Sequence, residues 1–132
     1  KHHTYARFDC RLAVRNFGST GHKATPLGLG GAPLSESSFA DGVATIRHGL
    51  DEGLSYFDTS PPYGQGQSQA IYGQALTAED RGFLFATKLS HFRDRKQYRS
   101  VDALRAQLYE NIRLLRRQSV DLLQVHEADF HA

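Results

Sequence analysis

The feature that most restricts the fold of this chain is an alternation of short apolar strands with amphipathic helices. Strands are predicted at residues 27–29, 56–58, 83–88 and 120–126, at intervals of about thirty residues, the length of one strand plus one helix. The strands are nearly continuous in apolar residues, which is typical of strands buried on both faces of a parallel sheet. The pattern predicts an α/β fold and leaves two architectures open, a doubly wound sheet and a (β/α) barrel.

Three helices are predicted between these strands. The first begins after Ser37 or Ser38 and ends at Gly53, the second spans about residues 68–76, and the third begins after Ser100. The first and third carry an apolar residue at every third or fourth position, which favours one buried face. These residues are Phe39, Val43, Ile46 and Leu50 in the first helix, and Val101, Leu104, Leu108, Ile112 and Leu115 in the third.

The beginning of the chain is predicted to form a small β-hairpin. Residues 12–14 and the stretch around residues 23–25 flank a glycine-containing turn, Gly18-Ser19-Thr20-Gly21. Residues 1–11 are expected to be a disordered or ragged N-terminus. Residues 12–132 are expected to form one unit, the hairpin followed by four strands of the βα type.

Composition and charge restrict the class of partner. The net charge of +2 comes from interspersed residues, so neither nucleic acid nor a membrane surface is an expected partner. The basic stretch at residues 93–99 contains an acid and favours a solvated loop. Cys10 is the only cysteine, which excludes an intrachain disulfide and favours a cytoplasmic location.

Polar side chains end three successive predicted strands. These are Asp58, Lys88 and His126, and Pro61-Pro62 precedes Tyr63 in the loop after Asp58. Taken singly, each residue has a structural explanation, such as a helix cap, a strand exit to solvent or a buried histidine. Because the carboxyl ends of parallel strands meet at one edge of the sheet, the combination predicts a single pocket. The two prolines limit the flexibility of the loop that holds Tyr63.

Two other kinds of site are disfavoured by the spacing of their residues. The dinucleotide motif G-x-G-x-x-G begins at Gly28 and Gly30, but Leu34 stands where the last glycine is needed. Residues 126–131, HEADFH, carry metal-capable side chains that match no closed metal site, so no metal is expected.

Several of these motifs together resemble one enzyme family. The motifs are TPLGLGGAPL, YFDTSPPYG, FATKLS and VDLLQVHEADF, preceded by RNFGSTG. In this order and spacing they resemble the aldo-keto reductase family, and most closely its branch of L-galactose and D-threo-aldose dehydrogenases. The resemblance implies the N-terminal half of a (β/α)₈ TIM-type barrel, preceded by a small β-hairpin that closes the bottom of the barrel.

The resemblance also implies an activity and a site. Members of the family transfer a hydride between NADP or NAD and a carbonyl, alcohol or sugar hemiacetal, without a Rossmann fold. The family's four catalytic residues fall on Asp58, Tyr63, Lys88 and His126. Contacts to the cofactor fall on Gly31, Ala32 and Asp58.

The chemistry explains why these residue types are needed. A free phenol ionises only near pH ~10, so Tyr63 needs a cation beside it to act as acid or base near neutrality. Lys88 would supply that cation, and Asp58 would hold the ammonium in place. His126 would donate a hydrogen bond to the substrate oxygen as charge develops there.

The sequence departs from the family pattern in two respects. Ser68-Gln69 stands where the family often has a serine–glutamate pair. The chain also stops after the fourth predicted strand, whereas a complete barrel takes about 250 residues. The chain alone is therefore expected to be inactive, to bind nicotinamide cofactor poorly, and to self-associate through uncovered sheet edges. The alternative is a non-catalytic fragment or binding module of the same family.

Overall fold

The computed structural model describes residues 12–89 and 100–126. In chain order the strands are β1 (Arg15–Asn16), β2 (Lys23–Ala24), β3 (Leu29–Gly30), β4 (Tyr56–Asp58), β5 (Leu84–Leu89) and β6 (Leu122–Val125). The helices are α1 (Phe39–Asp51), α2 (Gln67–Ala75) and α3 (Val101–Leu114), with 3₁₀ turns at Pro33–Glu36 and Tyr63–Gly66. The expectation for residues 1–11 lies outside the described residues.

The main sheet is parallel, as predicted, with its strands in the order β3-β4-β5-β6. Gly30 lies opposite Asp58, Asp58 lies opposite Ala86, and Lys88 lies opposite Gln124. This register brings the carboxyl ends of the strands to one edge of the sheet, where the strand-end residues predict a site.

The two faces of the sheet have different neighbours because successive side chains on a strand point to opposite sides. Phe57 and Phe85 point toward the helices and are almost fully buried. Asp58 and Lys88 point the other way, toward a pocket. The core between sheet and helices comprises Leu34, Ile46, Phe57, Ile71, Tyr72, Ala75, Leu76, Phe85 and Leu115.

Two apolar residues predicted on buried helix faces are exposed instead. Phe39 is 46% exposed and Val101 is 64% exposed. Both are the first residues of their helices, each directly after a capping serine. The first turn of each helix lies beyond the part that packs on the core, so these two side chains stay exposed.

Serine caps start both long helices. The Ser38 side chain accepts a hydrogen bond from the Asp41 amide, and the Ser100 side chain accepts one from the Ala103 amide. Such a bond satisfies one of the amides that a helix start leaves without a partner. The sequence pattern predicted the Ser100 cap correctly and left the first cap open between Ser37 and Ser38.

The predicted hairpin is present at the amino end of the strands, but its first strand is Arg15–Asn16 and not residues 12–14. Strands β1 and β2 pair antiparallel. Phe17 stacks on Tyr56, with ring centroids 5.9 Å apart. Thr25 and Ser55 exchange two amide-to-hydroxyl hydrogen bonds of 2.8 and 3.0 Å. The hairpin is thus fixed to the start of β4, at the opposite end of the strand from Asp58.

None of the described helices is long and apolar enough to cross a membrane.

Candidate active site

Asp58 and Lys88 form a short ion pair at the carboxyl ends of β4 and β5. Lys88 Nζ donates a 2.6 Å hydrogen bond to Asp58 Oδ2 and a 3.0 Å hydrogen bond to the Thr59 carbonyl oxygen. The side chains are 11% exposed for Lys88 and 23% exposed for Asp58. Poor access to water makes this attraction stronger than that of a surface pair, and two acceptors fix the direction of the ammonium.

Tyr63 stands beside this ion pair. The Thr59 amide donates to the Ala86 carbonyl oxygen at 3.1 Å, which ties the start of the loop to β5. The Tyr63 amide then donates to the Ser60 carbonyl oxygen at 3.2 Å, closing a turn across Pro61 and Pro62. The Tyr63 ring centroid lies 5.1 Å from Lys88 Nζ, within the range in which a cation interacts with an aromatic ring.

His126 follows directly after β6 and reaches the same group. Its amide donates to the Leu89 carbonyl oxygen at 2.9 Å, which extends the parallel ladder by one residue. Its ring meets the Tyr63 ring edge to face, with centroids 5.7 Å apart and an interplanar angle of 87°. The ring nitrogen Nδ1 lies 2.9 Å from Ser60 Oγ.

A pocket of about 450 Å³ opens at this edge of the sheet. Three of the four predicted catalytic residues line it, namely Asp58, Tyr63 and Lys88. His126 does not line this pocket and contacts Tyr63 instead. The remaining lining residues are Pro26, Gly28, Leu29, Gly30, Tyr56 and Gln124.

The two loop residues predicted to contact a cofactor lie beside the pocket but do not line it. Gly31 is buried, and a Cβ added there would meet the Asp58 carbonyl oxygen and the Thr59 and Ser68 side chains. Ala32 is exposed at the start of the 3₁₀ turn. Their role toward a cofactor stays a prediction.

Two residues near the site were given no role from the sequence. Gln124 lines the pocket opposite Lys88. It stands two residues before His126, and alternate residues of a strand share one face of the sheet. This spacing could have predicted that Gln124 faces the pocket. Ser60 is fully buried against His126. Ser60 is a small polar residue before a proline, and this local sequence does not predict a contact with His126.

A buried polar network supports the backbone of Lys88 from the helix side. Asn111 Nδ2, on α3, donates to the Lys88 carbonyl oxygen at 3.0 Å. Gln69 Nε2, on α2, donates to Asn111 Oδ1 and, at 3.3 Å, to Thr87 Oγ1. Gln69 Oε1 is buried without a partner among the described residues. Gln69, which stands where the family often has a glutamate, therefore lies behind the ion pair and links α2 and α3 to β5.

The Asp58 carboxylate also affects two other tyrosines. Burial raises the pKa of Tyr56, and the nearby Asp58 charge raises it further. Burial likewise raises the pKa of Tyr72 far above its usual range, with a smaller contribution from Asp58. The Tyr72 hydroxyl donates a 2.7 Å hydrogen bond to the Leu29 carbonyl oxygen. The raised pKa values keep both phenols neutral near neutral pH.

No three histidine, cysteine, aspartate or glutamate side chains within residues 12–89 and 100–126 are grouped so as to hold a metal ion. Residues 127–131 of the HEADFH stretch lie outside the described residues.

Comparison with known proteins identifies the family. The family model described as "Aldo/keto reductase family" matches residues 26–132. The chain belongs to the aldo/keto reductase family. The resemblance inferred from the motifs is therefore confirmed.

Curated aldo/keto reductase relatives are longer than this chain. L-galactose dehydrogenase from Arabidopsis thaliana is 31% identical over 128 residues, which cover 91% of this chain and 40% of the relative. Pyridoxal 4-dehydrogenase from Microbacterium luteolum is 38% identical over 79 residues, 57% of this chain and 23% of the relative. The chain thus spans about two fifths of the length of L-galactose dehydrogenase.

A solved structure confirms the fold. The glycerol dehydrogenase of Gluconobacter oxydans superposes with a TM-score of 0.73 at 28% identity, over 90% of this chain and 40% of that one. An aldo-keto reductase from Klebsiella pneumoniae, solved in complex with NADPH, superposes with a TM-score of 0.69 at 23% identity, over 79% of this chain and 36% of that one. The parallel sheet and its helices form part of a (β/α) barrel, so the doubly wound alternative is wrong.

Proposed function

We propose that the protein to which this chain belongs is an NAD(P)-dependent oxidoreductase that uses Tyr63 as the acid and base. One observation carries the proposal: Lys88 Nζ bonds to Asp58 at 2.6 Å and stands 5.1 Å from the centroid of the Tyr63 ring. A phenol beside a fixed ammonium is the arrangement that proton transfer to a carbonyl oxygen needs.

Each of the four residues has a distinct task in this proposal. Tyr63 gives its proton to the carbonyl oxygen during reduction and takes one from the alcohol during oxidation. Lys88 stabilises the phenolate that remains after reduction, and Asp58 holds the ammonium in place by its hydrogen bond. His126 orients the reacting oxygen by a hydrogen bond as negative charge develops on it.

The pocket is large enough to take a nicotinamide ring. Its volume of about 450 Å³ lies within the ≈ 300–1,000 Å³ typical of small-molecule sites. A Cβ added at Gly30, beside Asp58, would meet nothing within 4 Å, so there is room for a flat ring at this position. Gly31, Ala32 and Asp58 are the residues proposed to border the cofactor, and a bound NADP or NAD would supply or accept the hydride.

The substrate we propose is a small carbonyl compound, an alcohol or a sugar hemiacetal. The relatives named for their substrates act on L-galactose and pyridoxal, and the structural relative acts on glycerol. These are small hydroxylated or aromatic molecules without a large apolar body. Asp58, Tyr63, Lys88 and Gln124 give the pocket the polar lining that such a substrate requires.

The test is steady-state turnover by the full-length protein that contains this sequence, with NADPH or NADH and aldehydes, and with NADP or NAD and aldoses. Tyr63→Phe is expected to lower kcat by about 10²-fold or more, because general acid–base catalysis by one group contributes about 10²–10⁴-fold. Tyr109→Phe is the matched control, since it removes a phenol hydroxyl from an exposed position on α3. Its kcat should equal that of the parent.

Two results would contradict this proposal. One is a Tyr63→Phe enzyme with unchanged kcat. The other is a parent protein that binds the cofactor and turns over none of these substrates, which would favour the non-catalytic binding module.

A further inference from the structure

Ser60 lies where two of the proposed catalytic residues meet. It is fully buried, between Thr59 and Pro61. Its carbonyl oxygen accepts the 3.2 Å hydrogen bond from the Tyr63 amide that closes the turn. Its hydroxyl lies 2.9 Å from His126 Nδ1. One residue therefore contacts the backbone of the proposed acid and the ring of the proposed hydrogen-bond donor.

The burial of the hydroxyl decides the direction of this hydrogen bond. A buried O–H without an acceptor costs about 1–3 kcal/mol. Among the described residues, Ser60 Oγ makes no hydrogen bond other than that with His126. The hydroxyl proton must then be donated to Nδ1, because a protonated Nδ1 would leave the hydroxyl proton with no acceptor.

The direction of the bond fixes the tautomer of the ring. A neutral imidazole carries one N–H and one acceptor nitrogen, so an Nδ1 that accepts leaves the proton on Nε2. A histidine that orients a substrate oxygen must present an N–H, and the Nε2–H tautomer is the form that can do so.

We propose that Ser60 is a positioning residue that holds neutral His126 in its Nε2–H tautomer and holds the imidazole ring against Tyr63. The consequence for catalysis depends on the function proposed above, whereas the hydrogen bond and the tautomer do not. Ser60 contacts no reacting atom in this proposal and acts through His126.

The test is the tautomer of His126 in Ser60→Ala, measured by long-range ¹H–¹⁵N correlation of the imidazole rings at a pH where the ring is neutral. The 132-residue chain contains seven histidines, and His126→Gln assigns the signal. The parent should show an unprotonated Nδ1 and a protonated Nε2. In Ser60→Ala the ratio of the Nε2–H to the Nδ1–H tautomer should fall about fivefold, the effect of one net hydrogen bond. Nuclear Overhauser contacts between the His126 and Tyr63 rings should weaken.

Ser55→Ala is the matched control for stability. Ser55 is also buried, and its hydroxyl accepts a hydrogen bond from the Thr25 amide at the other end of β4. This variant should lose stability without changing the His126 signals. In the full-length enzyme, Ser60→Ala should lower kcat more than it changes KM.

A parent ring that is protonated at Nδ1 would overturn the proposal, and so would identical His126 signals in the parent and Ser60→Ala. The spectra are recorded without cofactor or substrate, so failure of the proposed function would leave this test intact.

Discussion

At the scale of single residues, the Asp58–Lys88 pair has two opposing effects on stability. Removing both charges from water is unfavourable, and the 2.6 Å contact together with the Thr59 carbonyl oxygen offsets that cost. Loss of one partner alone leaves a poorly solvated charge in the pocket. The pair is better explained by the chemistry proposed for Tyr63 than by stability, because an apolar pair of similar volume often stabilises as well or better.

This reasoning predicts non-additive effects in a double-mutant cycle. Asp58→Asn and Lys88→Met should each lower the free energy of unfolding by about 2 kcal/mol, less than for a fully buried pair because both side chains keep some exposure. The double variant should lose clearly less than the sum, since neither charge is then left alone. Urea denaturation followed by circular dichroism measures all three. Strictly additive losses would contradict a direct interaction between the two side chains.

The sequence revealed the catalytic candidates better than their supports. The positions of Asp58, Lys88 and His126 could be predicted because each follows or ends a strand. In a parallel sheet the carboxyl ends of all strands lie at the same edge, so the order of strands along the chain is enough to bring these residues together. The Ser60–His126 contact could not be predicted, because it joins residues 66 positions apart through a loop conformation. The Gln69–Asn111–Lys88 network depends in the same way on how two helices pack on β5.

At the scale of elements, helix α3 ends in a backbone conformation that its sequence does not favour. Arg116, the second residue after the helix, has a φ of +50°. The Arg116 amide bonds to the Arg113 carbonyl oxygen and the Arg117 amide to the Ile112 carbonyl oxygen, the pattern in which glycine is usual at this position. No glycine follows this helix in the sequence, so the left-handed turn could not be predicted from it.

We therefore expect Arg116→Gly to raise the free energy of unfolding by about 1 kcal/mol, because glycine adopts this conformation without steric cost. The exposed hydrogen bond from Arg116 to Gln74 Oε1 would be lost and should cost little. Arg116→Ala is the control that removes the same hydrogen bond and keeps the strain. Thermal and urea unfolding should rank glycine above arginine, with alanine at or below arginine. A glycine variant no more stable than the alanine variant would show that the turn is not strained.

At the scale of the whole molecule, the described sheet has two strands that pair on one side only. These are β3 and β6, the first and last in the strand order. On the face of β6 opposite the pocket, Leu123 is 39% exposed and Val125 is 49% exposed. A strand edge next to an apolar face is a surface on which another strand can pair.

The 132-residue chain on its own is accordingly expected to self-associate, with β6 as the contact. Sedimentation velocity over a range of concentrations should show species larger than the 14.7 kDa monomer. Leu123→Lys with Val125→Lys should shift the distribution toward monomer, because charged side chains on an edge strand oppose pairing. Val101→Lys with Tyr109→Lys is the matched control, since it adds the same two charges at exposed apolar positions on α3. A parent chain that sediments as a monomer at all concentrations would refute the expectation. Equal effects of the α3 and β6 substitutions would indicate that association depends on net charge and does not involve the β6 edge.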